Sequence, residues 1–129
     1  MIVGIGLDVV ELSRMEKLLA GPGNDRFVAR VLTEQESKRL GSLQLRRRLE
    51  FISGRFAAKE AVVKAIGCGI GAVVGFKDIE VLSDKLGKPI CSLSEASIKR
   101  LGWASDSYKI HIAITHERSL AAATVVIEK

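Results

Sequence analysis

With 129 residues, 47% of them hydrophobic and 27% charged, the chain has the size of one domain (1–129) and enough apolar content for a core, which excludes a disordered tail as the whole protein. No segment approaches the length of a membrane span, MIVGIGLDVV lacks the basic region and cleavage site of a signal peptide, and Cys68 and Cys91 show neither CxxC nor His-rich spacing, so a cytosolic protein with free thiols and no zinc is expected. A formal net charge of +5 implies acidic partners such as nucleic acid, phosphate-rich cofactors or an acidic protein, while aromatics at 5% are sparse for a surface that stacks single-stranded bases.

Ile2 to Val9 alternates as a strand, with Val3, Ile5, Leu7 and Val9 on one face and Gly4, Gly6 and Asp8 on the other. Glycine at those positions marks close approach by another backbone or a ligand. The carboxylate that follows either caps the next helix or serves a metal. Glu11 to Ala20 reads as a short helix with Leu12, Met15, Leu18 and Leu19 inward and Arg14 and Lys17 outward. Gly21 to Asp25 breaks it, and Arg26 to Val31 forms a second helical piece carrying Arg26, Phe27 and Arg30. Thr33-Glu34-Gln35-Glu36 matches a capping box for a third helix through Leu40. Leu43 leads into a long helix whose first half carries Arg46, Arg47 and Arg48, a solvated face, since successive helical residues cannot all point one way.

From Phe51 to Ile66 that helix is apolar nearly all round, as a buried helix is, yet it carries Arg55, Lys59, Glu60 and Lys64. A buried charge must be paired, liganded or aimed into a cleft. Glu60 and Lys64 are an i,i+4 pair of opposite sign, whereas Arg55 and Lys59 are a like-charge pair, unfavourable without an anion between them. The pattern suits a carboxylate on a metal beside cations on phosphate. It also suits a plain Glu60–Lys64 pair with Arg55 and Lys59 on a wet strip. The helix ends at Gly67, and Gly67, Gly69 and Gly71 make a loop that permits positive φ and close ligand approach, or simply a C-cap and turn.

In the second half, Phe76 to Leu82 pairs by pattern with Ile90 to Leu93 across a turn at Lys85–Pro89, and Ser94 caps a helix that Gly102 ends. Tyr108 to Thr115 alternates, with Tyr108, Ile110, Ile112 and Ile114 on one face and Lys109, His111, Ala113 and Thr115 on the other. His116 falls at a turn and Leu120 to Glu128 returns as a closing strand; His111 reads as structural. The Ile110-Ile112-Ile114 face and the closing strand are more apolar than one small sheet face requires, which points to an interface unless helices of the same chain cover them.

Gly6-Leu7-Asp8, the run Gly54-Arg55-Phe56-Ala57-Ala58-Lys59-Glu60-Ala61, and Ile114-Thr115-His116, in that order along the whole chain, resemble the short bacterial 4′-phosphopantetheinyl transferases that act as holo-acyl-carrier-protein synthases. The chain departs at Ala113 and Cys68, where that family often carries Ser or Thr. The resemblance implies an α+β fold, a small mostly antiparallel sheet packed against a long central helix and shorter helices. It implies transfer of phosphopantetheine from coenzyme A to a serine of an apo-acyl carrier protein, in fatty acid biosynthesis. Implied with it are Mg²⁺ on Asp8 and Glu60, Lys64 on the diphosphate and His116 on a phosphate. Coenzyme A would meet Arg55 and the Gly67, Gly69, Gly71 loop, with Arg47 and the Gly87-Lys88-Pro89 turn as further contacts. The acidic carrier would dock on Arg14, Lys17, Arg26, Phe27 and Arg30. By the same resemblance the working unit is a homotrimer with the cofactor between subunits, and neither nucleic acid nor a membrane is a partner. A small nucleic-acid-binding module and a different Mg²⁺-dependent phosphotransferase are the rival classes. Salt-dependent binding to DNA or RNA would mark the first, and ATP turnover without a carrier the second.

Overall fold

Strand β1 (Ile2–Glu11) and helix α4 (Leu45–Ile66) make the contact from which the rest of the architecture follows. On the face of β1 that meets α4, a Cβ at Gly4 would lie 2.1 Å from the Ala65 carbonyl oxygen, and one at Gly6 would lie 1.9 Å from that of Ala61. The helix answers with small residues: Ala57, Ala58, Ala61 and Ala65 are all buried. The alternate glycines therefore admit a helix backbone, not a ligand, and Asp8 continues their face toward the side chains of α4.

The computed structural model describes residues 1–104 and 107–129. In chain order β1 is followed by α1 (Leu12–Ala20), α2 (Asn24–Val31), α3 (Glu34–Leu40) and α4, then β2 (Ile79–Ser83), β3 (Pro89–Leu93), α5 (Glu95–Leu101), β4 (Lys109–His116) and β5 (Leu120–Glu128). A three-stranded antiparallel sheet runs in the order β1-β5-β4, and β2-β3 forms a separate hairpin. Leu7 lies opposite Thr124 and Ile110 opposite Ile127. This register turns Ala121, Ala123, Val125 and Ile127 of β5 inward, all buried. The α+β class expected from the resemblance is the one observed.

Two of the expected faces are differently disposed. Ile110, Ile112 and Ile114 pack on the core that α4 and β5 form, so the helix covers that face and it is not the surplus apolar patch. The surplus lies on β1, where Val3, Ile5, Leu7 and Val9 are 45, 68, 59 and 55% exposed. A second layer of α1, α2 and α3 packs on the first half of α4 through Leu12, Met15, Val31, Leu32, Leu40, Leu49 and Ile52. Leu18, expected inward, is exposed instead.

The start of the second half also differs from its periodicity. Phe76–Asp78 is a 3₁₀ turn and not strand, because the Gly75 amide donates to Asp78 Oδ2 at 2.8 Å and bends the chain before β2 begins. From there Ile79 pairs with Leu93 through to Ser83 with Pro89. The capping box at Thr33 and Glu36 forms as expected, as does the Ser94 cap of α5, which ends at Gly102 with φ 71°. Both cysteines are free, and burial pushes the Cys91 thiol up to about 12. Among the described residues no helix is long and apolar enough to cross a membrane.

Candidate active site

Asp8 leaves β1 beside Glu60 and Lys64, which sit one turn apart on α4. The Lys64 ammonium donates to Asp8 Oδ1 at 2.9 Å and to the Leu7 carbonyl at 3.1 Å. The i,i+4 pairing of Lys64 with Glu60 therefore does not form, and Lys64 ties helix to strand. Its hydrogen bond to Asp8, together with that carboxylate's charge, holds the ammonium above the usual lysine range. Glu60 enters no ion pair among the described residues. Burial first, and then the like charge of Asp8, raise its carboxyl, with Lys64 opposing. Asp8 and Glu60 thus share one cleft, with Lys64 bound to Asp8.

That cleft, about 390 Å³, is lined by Asp8, Glu11, Arg14, Met15, Leu18, Phe27, Phe56 and Glu60. Arg14 and Phe27, expected at a docking surface, border the carboxylates directly. Phe27 is half-buried, its ring centroid 5.9 Å from that of Phe56, which in turn lies 5.6 Å from Phe76. Its ring is a wall of the cleft, not a protruding knob. Lys17, Arg26 and Arg30 are exposed on the same two helices. Glu11 is the carboxylate that sequence reasoning missed. On a period of two it belongs to the face opposite Asp8, and only the turn from β1 into α1 brings it round. Among the described residues no cluster of three His, Cys, Asp or Glu side chains is placed to hold a metal, so a cation between Asp8 and Glu60 needs further oxygens from water or phosphate.

A second group lies toward the start of α4. Arg55 is buried, its guanidinium 4.3 Å above the Phe51 ring, with Nε donating to the Val81 carbonyl at 3.1 Å and Nη2 to Ser83 Oγ at 3.4 Å. Ser83 pairs with Pro89, so the Gly87-Lys88-Pro89 turn adjoins Arg55. Asp84 Oδ1 braces that turn by accepting from the Leu86 and Lys88 amides, both at 2.9 Å. Arg47, Arg55 and His116 line one pocket of about 250 Å³ together with Arg39, Glu50 and Phe51. His116 Nδ1 stands 3.4 Å from Glu50 Oε2, and Arg46 holds the turn after it through the Arg118 carbonyl at 2.9 Å. Glu50 and Glu60 are ten residues apart on one helix, about 15 Å, so a single chain does not bring His116 to Asp8, Glu60 and Lys64.

The glycine loop lies at the other end of α4. Gly67 caps the helix with φ 93° and its amide on the Val63 carbonyl; Gly69 has φ 68°. A Cβ at Gly67, Gly69 or Gly71 would meet nothing within 4 Å. The candidate coenzyme A residues are therefore spread along α4, from Arg47 in its first turn through Arg55 at its middle to the glycine loop past its end.

Lys59 leaves the site altogether. Its side chain and that of Glu36 are 0% exposed and 2.7 Å apart. The anion that the like-charge Arg55–Lys59 pair demands is thus internal, a carboxylate from α3. Burial draws Lys59 below the usual lysine range while Glu36 pulls it back. Neither cation lies on a wet strip. On the outer sheet face, His111 is exposed and its Nε2 lies 3.0 Å from Glu128 Oε1.

An antiparallel sheet laid on one long helix is an architecture shared with solved holo-(acyl-carrier-protein) synthases. A holo-(acyl-carrier-protein) synthase from Bacillus anthracis in complex with CoA (3′,5′-ADP) matches with a TM-score of 0.85 at 45% identity, over 100% of this chain and 98% of that one. The Helicobacter pylori holo-[acyl-carrier-protein] synthase in complex with coenzyme A gives 0.82 at 28% identity, over 96% and 99%. Among curated proteins, the holo-[acyl-carrier-protein] synthase of Bacillus velezensis is 46% identical over 129 residues, 100% of this chain and 98% of that protein. A family model described as the 4′-phosphopantetheinyl transferase superfamily matches residues 4–125. The chain belongs to the 4′-phosphopantetheinyl transferase superfamily.

Proposed function

We propose that the chain, as one domain over residues 1–129, transfers the 4′-phosphopantetheine group of coenzyme A to a serine of apo-acyl carrier protein. Adenosine 3′,5′-bisphosphate is released, and the holo-carrier serves fatty acid biosynthesis in the cytosol. The observation that carries this reading is the Asp8–Lys64–Glu60 cleft, with Lys64 Nζ 2.9 Å from Asp8, in a chain 44 to 46% identical to curated synthases over nearly its whole length.

In the reaction the serine hydroxyl gives its proton to a base in the cleft, its oxygen forms a bond to the pantetheine-side phosphorus, and the bond from that phosphorus to the bridging oxygen breaks. Negative charge moves onto the departing bisphosphate, and catalysis consists mainly of positioning and charge stabilisation. Lys64 spends two of its three N–H bonds on Leu7 and Asp8, which leaves one for a phosphate oxygen. Asp8 and Glu60 fit Mg²⁺: they are hard oxygen donors from two rigid elements, they line one cleft, and Glu60 has no ion-pair partner among the described residues. A pair leaves room for the waters and phosphate oxygens that Mg²⁺ keeps. When bound, the ion neutralises the diphosphate.

Arg47, Arg55 and His116, with Lys88 and Pro89 beside them, suit the bisphosphate and adenine end of coenzyme A. The loop of Gly67, Gly69 and Gly71 offers backbone to a phosphate. Because Arg47 lies in the first turn of α4 and the glycine loop past its last, a second copy that brings one set to the other suits these groups, and the exposed β1 face of Val3, Ile5, Leu7 and Val9 is the surface that suits such an assembly. These features support a homotrimer with coenzyme A between neighbours. Arg14, Lys17, Arg26 and Arg30, with Phe27 at the cleft wall, receive the acidic carrier. Release of adenosine 3′,5′-bisphosphate from coenzyme A tests the reading. It should require apo-carrier and Mg²⁺ together; release without carrier, or none with both, would overturn it.

A further inference from the structure

We infer that Lys59 is a positioning residue for carrier recognition, a clamp that fixes the docking helix α2 and the aromatic wall of the cleft against the catalytic helix. The inference rests on the transfer reading above. All three hydrogens of its ammonium are committed inside the protein: to the Val31 carbonyl at 2.6 Å, to Glu36 Oε1 at 2.7 Å and to the Phe76 carbonyl at 3.0 Å. Val31 is the last residue of α2, and its carbonyl is one of those a helix end leaves without an internal partner. Arg30, Phe27 and Arg26 stand on the same helix within two turns of that anchor. Phe76 ends the row of rings that runs through Phe56 to Phe27, and Phe27 and Phe56 line the cleft with Glu60. Glu60 is the next residue after Lys59. One side chain therefore joins the far end of the docking helix, the end of the aromatic row and the catalytic segment of α4.

Glu36 has a different part. It accepts from Lys59, from the Thr33 amide at 2.8 Å and from the Val81 amide at 2.7 Å. It satisfies the lysine's charge and anchors α3 and β2, but among the described residues it makes no hydrogen bond to α2 or to Phe76. This asymmetry separates positioning from simple stability. Glu36→Gln and Lys59→Met both break the buried ion pair and both lower Tm. Only Lys59→Met releases Val31 and Phe76, because an uncharged lysine still has two hydrogens for those carbonyls. Glu36→Gln with Lys59→Met removes both charges and leaves no unpaired carboxylate in the core, so its Tm should lie no lower than that of Lys59→Met alone, without regaining the clamp.

Steady-state kinetics on the assembled enzyme decide it. The KM for carrier protein should rise about tenfold or more in Lys59→Met and in the double variant, stay within about twofold in Glu36→Gln, and the KM for coenzyme A should stay within about twofold in all three. An equal rise in Glu36→Gln and Lys59→Met, or an unmoved carrier KM in Lys59→Met, would overturn the clamp. Amide exchange on the unaltered protein gives a readout independent of variant folding. The last turn of α2 should open as slowly as the core of α4, and faster opening there contradicts the proposal. If the unaltered chain transfers nothing, the transfer reading falls, and the exchange result alone decides whether Lys59 fastens α2.

Discussion

Glu60 and Lys59 are neighbours in sequence and opposites in environment. Lys59 has its full set of partners in the core, while Glu60 faces a cleft that it shares with Asp8. In the sequence alone the four charges of this segment compete on equal terms, because periodicity reports which residues share a face and not what stands opposite. What separates them is Glu36, 23 residues away along the chain, and the Val81 amide beyond it. Asp8 was legible for a clearer reason: two glycines before it on one strand face announce a close approach. Asp8→Ala or Glu60→Ala should abolish transfer and leave Tm little changed, since the Lys64 end of the Asp8–Lys64 pair stands in solvent and solvent screens such a pair. Wild-type-like turnover by either variant at saturating Mg²⁺ contradicts the assignment. Asp78 supplies a pH test. Burial acts to raise its carboxyl, but the Ser94 hydroxyl, the Gly75 amide and Arg100 hold it below the usual aspartate value. A depressed carboxylate stabilises the fold above its unfolded pKa and loses that contribution as pH falls through the folded one. The stability gap between the unaltered chain and Asp78→Asn, from urea midpoints, should therefore close between about pH 5 and pH 2. A gap that persists at the acid end is the contrary result.

Among the elements, the long helix and the strands β1, β4 and β5 are legible from apolar spacing, and α3 from its capping box. The misread segment, Phe76–Asp78, alternates as a strand should. A side-chain bond from Asp78 and the grip of Lys59 on the Phe76 carbonyl impose a turn there, and neither is visible in a pattern of hydrophobicity. Contact between β1 and α4 offers the sharpest stability test. Gly6→Ala puts a carbon where the Ala61 carbonyl already lies, 1.9 Å away, and neither backbone can retreat without unseating the sheet. It should cost at least about 2 kcal/mol in denaturant unfolding; an unaffected midpoint would mean that strand and helix are not in this register. For α1 and α2 the expected property is electrostatic. Arg14→Glu should raise the KM for carrier protein and weaken its salt dependence, because one attractive charge is lost and screened contacts govern the rest. An unaltered carrier KM removes α1 from the docking surface.

At the scale of the whole molecule, the surplus apolar surface was legible in amount and misplaced in position. Ile110, Ile112 and Ile114 alternate as strongly as Val3, Ile5, Leu7 and Val9, and only the packing of α4 determines which set is covered. The two glycines on β1 are what seat the helix on their own side and leave the other face of that strand outward. Leu7→Asp, at a position 59% exposed in the single chain, should leave the fold intact, convert a trimer to monomer in sedimentation and lower activity with it. A variant that sediments and turns over as the parent does would contradict assembly through this face. The central claim, that the Asp8, Glu60 and Lys64 cleft moves phosphopantetheine onto a carrier serine, is tested most directly by the intact mass of an apo-acyl carrier protein after incubation with the enzyme, Mg²⁺ and coenzyme A. The account predicts a gain of one phosphopantetheine on the serine with the unaltered chain and none with Glu60→Ala; an unchanged carrier mass with the unaltered chain, or the same gain with both proteins, would contradict it.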